Sequence, residues 1–570
     1  MTERAKEILI ILSLIVVSGL LLAYGLNHDL PHLYNGDEGY LIFPALKMGI
    51  GDLDPISYVY APFFKYILLL CYGVYFVIGF ALGKFPSPEV FAIDFFRDPS
   101  AIYLISRAVS AAAGVGAVVA TYLLGRELYQ RRVGLAAAVF IMVSPLFVNY
   151  SHQAKSDVAL TLLYVVSLYL ISQVMRYQQL KHYVLAGLVT GAAMALKFTA
   201  VMLVFPFLYA HFSGSRPKEL KKLVPGLALV AAGFFAANPF ALIRFPETVR
   251  QVLFLRKLYT YSQGPLTQSF GFWTNSLSSS LGFFITVSAL IGLVSLPLRR
   301  RSQDILLPMA VISFFLPVAF SFHKDIHWIL PVFPLLALMA AVVLIECSRR
   351  FRSGEVLLAG LVILFSYQPF RLTTVVLSNF TRPDTRTLAL GWVEKNIPAG
   401  TKVLMDRGRY ESVFNAPLKN SRRNIERLLQ RTRNIHEGYG GYVFEQEPTN
   451  EYPYLDRYYE YKLKALEPNA ITYDIVPIFH GNIAEKGQPF VRDNLKTLPA
   501  YRKAGVKYVI VSSICYNTYK RHLAASKEVP AFVRKYHDFY ESLDVEARLL
   551  RSFSRSDGGC KGPTIKIYRI

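Results

Sequence analysis

The stretch Ala101 to Tyr150 reads AIYLISRAVSAAAGVGAVVATYLLGRELYQRRVGLAAAVFIMVSPLFVNY, two apolar runs with Arg126, Arg131 and Arg132 between them. Each run, Ala101 to Leu124 and Val133 to Tyr150, is long enough to span a bilayer, for which about 17 to 25 residues suffice. Loops rich in Lys and Arg stay on the cytoplasmic side of a membrane, so the cluster reads as a cytoplasmic turn between two crossings. That reading orients everything on either side of it.

Towards the N-terminus, the apolar run Ile8 to Leu26 follows Arg4 and Lys6 and contains no small-residue cleavage site. It reads as an uncleaved anchor with its N-terminus in the cytoplasm. Residue 27 is then outside, and a single crossing must separate it from Arg126. The run Phe63 to Leu82, with Lys65 and Lys84 at its ends, is therefore expected to lie along the outer surface or to re-enter, inside a long first outer loop, residues 27–100. Towards the C-terminus come Val158 to Met175, Leu223 to Ile243, Leu277 to Leu298, Ile305 to Phe322, Trp328 to Ile345 and Val356 to Leu377. Tyr183 to Phe212, 30 residues interrupted by Lys197, is expected to cross twice with Lys197 at the outer end of a helical hairpin. Eleven crossings then leave Arg176 and Lys181, the Arg216 to Lys222 cluster, Arg299 to Arg301, and Arg349, Arg350 and Arg352 all in the cytoplasm. The C-terminus falls outside.

Composition agrees with a membrane protein: 53% of the 570 residues are hydrophobic, 14% are aromatic and only 18% are charged. The net charge of +23 lies in loops between apolar runs, so it reports topology and not a nucleic-acid partner. Residues 1–379 form the membrane part, and from about 380 to 570 the sequence becomes charged, rich in Tyr and punctuated by Pro. There Asp384 to Asn396 has helical spacing and stops at Ile397-Pro398-Ala399-Gly400, followed by short apolar strands at Lys402 to Met405, Lys507 to Ser512 and Thr564 to Tyr568. The expected fold class is an α-helical polytopic membrane protein of about eleven transmembrane helices with a C-terminal extracytoplasmic, soluble α/β domain. Of the four cysteines, Cys515 and Cys560 share that domain, and both a disulfide and two free thiols are open readings.

Polar residues held at the outer membrane surface carry the chemistry, because charge there needs a partner or a task. The first outer loop carries Gly36-Asp37-Glu38-Gly39-Tyr40, an acid pair just after a crossing. A short outer loop, Ser151 to Asp157, holds His152, Lys155 and Asp157, the last also suited to stabilising the start of its helix. A further loop reads His323-Lys324-Asp325-Ile326-His327-Trp328; its two histidines lack the acid that follows the first His in hydrolytic zinc motifs, so no metal is expected. Lys65, Arg107, Lys197 and Lys324 add four cations to these outer elements. Cations beside lipid suit a phosphate headgroup, and carboxylates beside them suit group transfer. No phosphate-cradling GxxxxGK[ST] loop is present.

These residues resemble the type C (GT-C) glycosyltransferases that use polyprenyl-phosphate sugars, in particular the protein O-mannosyltransferase and lipid A aminoarabinose transferase branch. Gly36 to Tyr40 is similar to that branch's acidic first-loop motif, and Tyr60-Ala61-Pro62-Phe63-Phe64-Lys65 to the start of its surface helix. Ser106 to Ala111 with Leu124 to Leu128 resembles its second span, Ser144 to Asp157 its third span and second acidic loop, and Leu196-Lys197-Phe198 its Lys-bearing hairpin. The resemblance implies that Asp37 is the general base for an acceptor hydroxyl, that Glu38 and Asp157 support acceptor or sugar binding, and that Lys65, Arg107 and Lys197 hold the donor phosphate. His152, Lys155, His323, Lys324 and His327 are further candidate substrate contacts. It implies a single inverting displacement with polyprenyl phosphate as leaving group, without cofactor or catalytic metal, and mannose or another hexose as the sugar. The implied partners are the lipid-linked donor, a protein, lipid or glycan acceptor, and membrane lipids. The implied location is the cell membrane. Two departures are visible: Pro62 stands alone where the family has tandem prolines, with Lys65 after it, and His327-Trp328 replaces an Arg-Tyr pair. A membrane scaffold without catalysis and a transporter of lipid-linked sugar are the competing classes; a transporter predicts paired broken helices in related halves of the chain.

Overall fold

The computed structural model describes residues 2–214, 219–259, 266–319, 325–351, 354–407, 413–438, 455–479, 495–525 and 529–570. Over the described residues, each expected span is mostly helical. Seven long apolar helices, Glu3–Ala23, Ser100–Leu128, Ser156–Tyr177, Leu220–Ala237, Ser302–Ala319, Ile326–Ser348 and Gly354–Thr381, fall on seven of the expected crossings. Pro62–Ala81 is as long and apolar as these. The run divided by Lys197 forms two shorter helical pieces, Leu180–Leu196 and Phe198–Ser213, with Lys197 itself extended between them (φ −156°, ψ 125°).

Two expected spans are broken instead of straight. Arg131–Met142 and Pro145–Ser151 meet at 67°, because Pro145 has no N–H to continue the helix and Ser144 caps the new one by accepting from Phe147 N. The expected span Leu277 to Leu298 bends by 119° at Gly282, so Gly271–Leu281 and Phe283–Arg299 run in very different directions. Gly282 has φ 94°, a conformation that favours glycine, and the amide of Phe283 freed by the break donates to Gln368 Oε1 at 2.9 Å.

Small residues allow two of the helices to touch backbone to backbone. A Cβ at Gly187 would lie 2.3 Å from Gly226 O, and one at Gly191 would lie 2.2 Å from Val230 O, so helices Leu180–Leu196 and Leu220–Ala237 meet through a Gly-x-x-x-Gly face. Ile326–Ser348 is the most enclosed of the long apolar helices.

Ion pairs gather at both ends of the bundle. At one end Glu7 receives Tyr122, Arg126 and Arg131, Arg132 pairs with Glu355, Arg176 with Glu127 at 3.0 Å, and Arg299 with Glu346. The acids of the first loop and the C-terminal unit lie at the other end.

That unit is a five-stranded sheet with helices. Its strands are β1 (Lys402–Arg407), β2 (Asp474–Phe479), β3 (Tyr508–Ser512), β4 (Arg548–Phe553) and β5 (Ile565–Arg569), in the order β2-β1-β3-β5-β4. β1 is parallel to β2 and β3, while β5 is antiparallel to β3 and β4. The expected strands are β1, β3 and β5, and the expected helix is Thr385–Asn396 with Asp384 as its cap. Alternate residues of β1 and β3 enter opposite cores: Leu404, Val509 and Val511 pack with Tyr519, Tyr536 and Leu543, whereas Val403, Met405 and Ile510 pack with Ala389 and Val393. Cys515 and Cys560 are both buried free thiols.

Candidate functional site

Helix Gly36–Met48 begins at Asn35, whose side chain accepts from Asp37 N at 3.2 Å. Capping at this point places both acids in the first turn, where the helix dipole favours negative charge. Successive residues of an α-helix point about 100° apart, so Asp37 and Glu38 cannot share one environment. Glu38 turns inward and is fully buried, while the Asp37 side chain remains 57% exposed.

Glu38 is committed to the protein. Its carboxylate receives Arg107 Nε and Nη2 at 2.8 Å each and Ala154 N at 2.9 Å. Arg107, also buried, donates through Nη1 to Leu26 O at 3.2 Å and His28 O at 2.8 Å. This fork ties together the end of the first helix, the acidic helix, the second span and the loop before Asp157.

Asp37 faces a different neighbourhood. Its Oδ2 lies 2.6 Å from Lys155 Nζ. The Lys155 ammonium is 4.8 Å from the centroid of the Tyr150 ring, and His327 stacks on the same ring at 4.9 Å. His327 Nδ1 is 2.6 Å from Asp325 Oδ1. Burial pushes Asp325 up, but the hydrogen bond and charge of His327 outweigh it and hold the carboxyl below the ordinary range. Asp157, buried in the first turn of Ser156–Tyr177, binds Lys197 Nζ at 2.9 Å and also feels the charges of His327 and Lys155. The backbone of Lys197 forms an isolated antiparallel bridge with Tyr60, which draws the second half of the first loop to the same place.

Asp37, Lys155, Tyr150, His327, Asp157 and Lys197 are therefore linked through a chain of direct contacts and charges. Each of the three acids named from sequence carries its own cation: Lys155 on Asp37, Arg107 on Glu38 and Lys197 on Asp157. Lys65 is buried and donates to Pro55 O at 3.0 Å. The His152 ring lies between Val148 O (2.7 Å) and Tyr24 O (2.9 Å) and stacks on Phe380. His323 and Lys324 lie outside the described residues. Among the described residues, no three His, Cys, Asp or Glu side chains gather as a metal site requires.

Sequence reasoning missed Tyr150, Asn35, Gln153 and Asp325. Tyr150 was read only as the end of a span, although it stands directly before the Ser151 to Asp157 loop. Gln153 accepts from Asn35 Nδ2 at 2.8 Å and so docks the two acidic loops on each other, a pairing that no local pattern signals.

A profile of the family described as "Dolichyl-phosphate-mannose-protein mannosyltransferase" matches residues 103–243, which include Arg107, Lys155, Asp157 and Lys197. Among solved structures, the chain matches ArnT from Cupriavidus metallidurans bound to undecaprenyl phosphate with a TM-score of 0.52 at 12% identity, over 99% of this chain and 98% of that one. The chain has the GT-C glycosyltransferase fold. The apo state of the same ArnT gives the same TM-score of 0.52 over 100% of this chain and 98% of that one. The apo oligosaccharyltransferase of Archaeoglobus fulgidus shares the GT-C fold with a TM-score of 0.50 at 15% identity, over 91% of this chain and 72% of that one. No curated protein matches the sequence.

Proposed function

We propose that this GT-C chain is a hexosyltransferase that moves one sugar, mannose or another hexose, from a polyprenyl-phosphate carrier to a protein, lipid or glycan acceptor on the non-cytoplasmic side of the membrane. The observation that carries the reading is the division of labour within the acid pair. Asp37 is exposed at a helix start and held by a single cation, whereas its neighbour is sealed inside the protein. A general base must reach its substrate's proton, and the exposure of Asp37 supports it in that role over the buried Glu38.

In this reading Asp37 takes the proton of the acceptor hydroxyl. The acceptor oxygen forms its bond to the anomeric carbon on the face opposite the carrier, the bond from that carbon to the phosphate oxygen breaks, and its electron pair leaves with the phosphate. Configuration inverts. Lys155 orients Asp37, and Lys197, set by Asp157 and by the bridge to Tyr60, meets the charge developing on the phosphate. Tyr150 and His327 line the sugar's position between these two pairs. The geometry favours a structural task for Glu38 and Arg107, whose polar atoms already have protein partners, and for Lys65, which is buried and donates to Pro55 O. The orientation in this reading is the one that the basic loops imply, with the N-terminus cytoplasmic and the site and C-terminal unit outside.

The test is transfer in membranes supplied with labelled polyprenyl-phosphate hexoses, comparing wild type with Asp37→Asn at equal folded abundance. Label moving to acceptor or water only with wild type supports both the activity and the base. Equal behaviour of the two proteins across several donors overturns the assignment of Asp37.

A further inference from the structure

The C-terminal unit grips the first loop at two separated places. At the first, Phe380, near the end of the last span, stacks on His28 at 4.6 Å and on His152 at 4.4 Å. Gly25 faces it so closely that a Cβ would fall 2.9 Å from Phe380 Cβ. Asp384 then holds Arg386 through two bonds of 2.8 Å, and the Arg386 guanidinium carbon lies over the Tyr34 ring, 3.8 Å from its centroid. Tyr34 OH meets Thr387 Oγ1 at 2.7 Å. Beside them Lys561 pairs with Asp29 at 2.7 Å, both side chains being only 15% exposed. The peptide of Lys561 is itself fixed between Pro383 O and Thr385 N.

At the second place, Tyr458 of helix Leu455–Ala465 packs edge-on against Phe43 of the acidic helix (5.9 Å) and Phe96 of helix Pro88–Arg97 (5.1 Å). Tyr461 stacks on Phe96, and Lys464 pairs with Glu89.

Both grips end on the element that carries Asp37. Tyr34 directly precedes Asn35, the residue that caps the Asp37 helix, and Phe43 lies on that same helix. His28, next to Asp29, supplies one of the two carbonyls that hold Arg107 against Glu38. We infer that the C-terminal unit is a working part of the membrane site, and that Arg386, Lys561 and Tyr458 are positioning residues that fix the helix bearing Asp37. Its catalytic half rests on the function proposed above; its structural half does not. An acid that must meet an acceptor hydroxyl within hydrogen-bond reach is sensitive to shifts of about 1 Å, which can cost about a hundredfold in rate.

The experiment uses the full-length chain in lipid nanodiscs and reads hydrogen exchange by mass spectrometry alongside donor kinetics. Arg386→Ala and Lys561→Asp are expected to speed exchange across residues 29–48 while peptides from Ser156–Tyr177 keep their wild-type rates. They are expected to lower kcat about tenfold to a hundredfold with donor KM unchanged. The charge-exchanged pair Asp29→Lys with Lys561→Asp recovers both readouts. Should Lys561→Asp fail to fold, Tyr458→Leu, which keeps an apolar contact and removes the ring, carries the same expectation. Unchanged exchange over 29–48 in the single variants overturns the inference whatever the activity does, and faster exchange with unchanged kcat overturns the positioning role. A wild-type protein that transfers no sugar defeats the proposed function alone, because the exchange data still judge the grip.

Discussion

Two neighbouring carboxylates with the same charge are expected to fail in opposite ways when each is made neutral. In Glu38→Gln the buried fork is broken: Arg107 keeps its two carbonyls but loses the anion that received Nε and Nη2, and the new amide nitrogen faces a guanidinium that can only donate. Removing one partner of a buried ion pair costs about 3–5 kcal/mol, mostly because the other charge stays buried without compensation. At about 1.4 kcal/mol per tenfold, that lowers the folded-to-unfolded ratio by roughly a hundredfold to several thousandfold. Asp37→Asn removes one contact of an acid that is itself 57% exposed, and although its partner Lys155 is buried, the Asn keeps an acceptor oxygen for that ammonium, so its loss of stability should be smaller than that of Glu38→Gln. Its effect should appear in turnover, by about a hundredfold to ten-thousandfold for loss of a general base. The assay is denaturant unfolding of both variants in detergent, paired with transfer rates measured on folded protein only. Equal loss of stability in the two variants, or a Glu38→Gln protein as stable as wild type, refutes the division of roles.

Lys197→Ala should slow transfer while Lys197→Arg recovers part of the rate, checked by single-turnover kinetics with saturating donor, since the charge beside Asp157 is what the reading uses. Gly191→Leu should lower folded abundance, read by gel filtration of solubilised protein, because a Cβ at 2.2 Å from Val230 O forces two helices apart, and overpacking of this kind costs about 1–3 kcal/mol. All four cysteines should react with a thiol reagent after unfolding without reductant, and a count of two would contradict the free Cys515 and Cys560.

Much of the fold was legible because lipid imposes a simple rule: a spanning helix needs a long apolar run, and the runs were there. The breaks were harder to read. Pro145 and Gly282 sit inside apolar runs whose hydropathy conceals a change of direction, and only backbone geometry reveals 67° and 119° bends. In the C-terminal unit the three strands read from sequence are the inner ones, and the two missed are the edges. β2 carries Pro477, and β4 carries Arg548 and Arg551, residues that suit an edge and disguise a strand. For the site, residue types were readable and partnerships were not. Lys155 and Asp37 are 118 positions apart, and Arg107 and Glu38 are 69 apart. Of the three cations expected to hold the donor phosphate, Arg107 and Lys197 each also pair with an acid and Lys65 donates to a carbonyl oxygen, because burial of a charge demands a partner.

The first helix is usually regarded as an address label for a membrane protein, to be kept or cut once delivery is complete. Here its two ends are both in use: Glu7 anchors Arg126 and Arg131 below, while Tyr24, Leu26 and His28 just past its upper end offer carbonyls to His152 and Arg107. A chain shortened to start beyond residue 28 would still carry every acid of the site, yet Arg107 would lose half of its partners and the buried fork its frame. The sequence of this helix therefore cannot drift as freely as that of a disposable signal, and replacing it with a foreign anchor should loosen the buried fork.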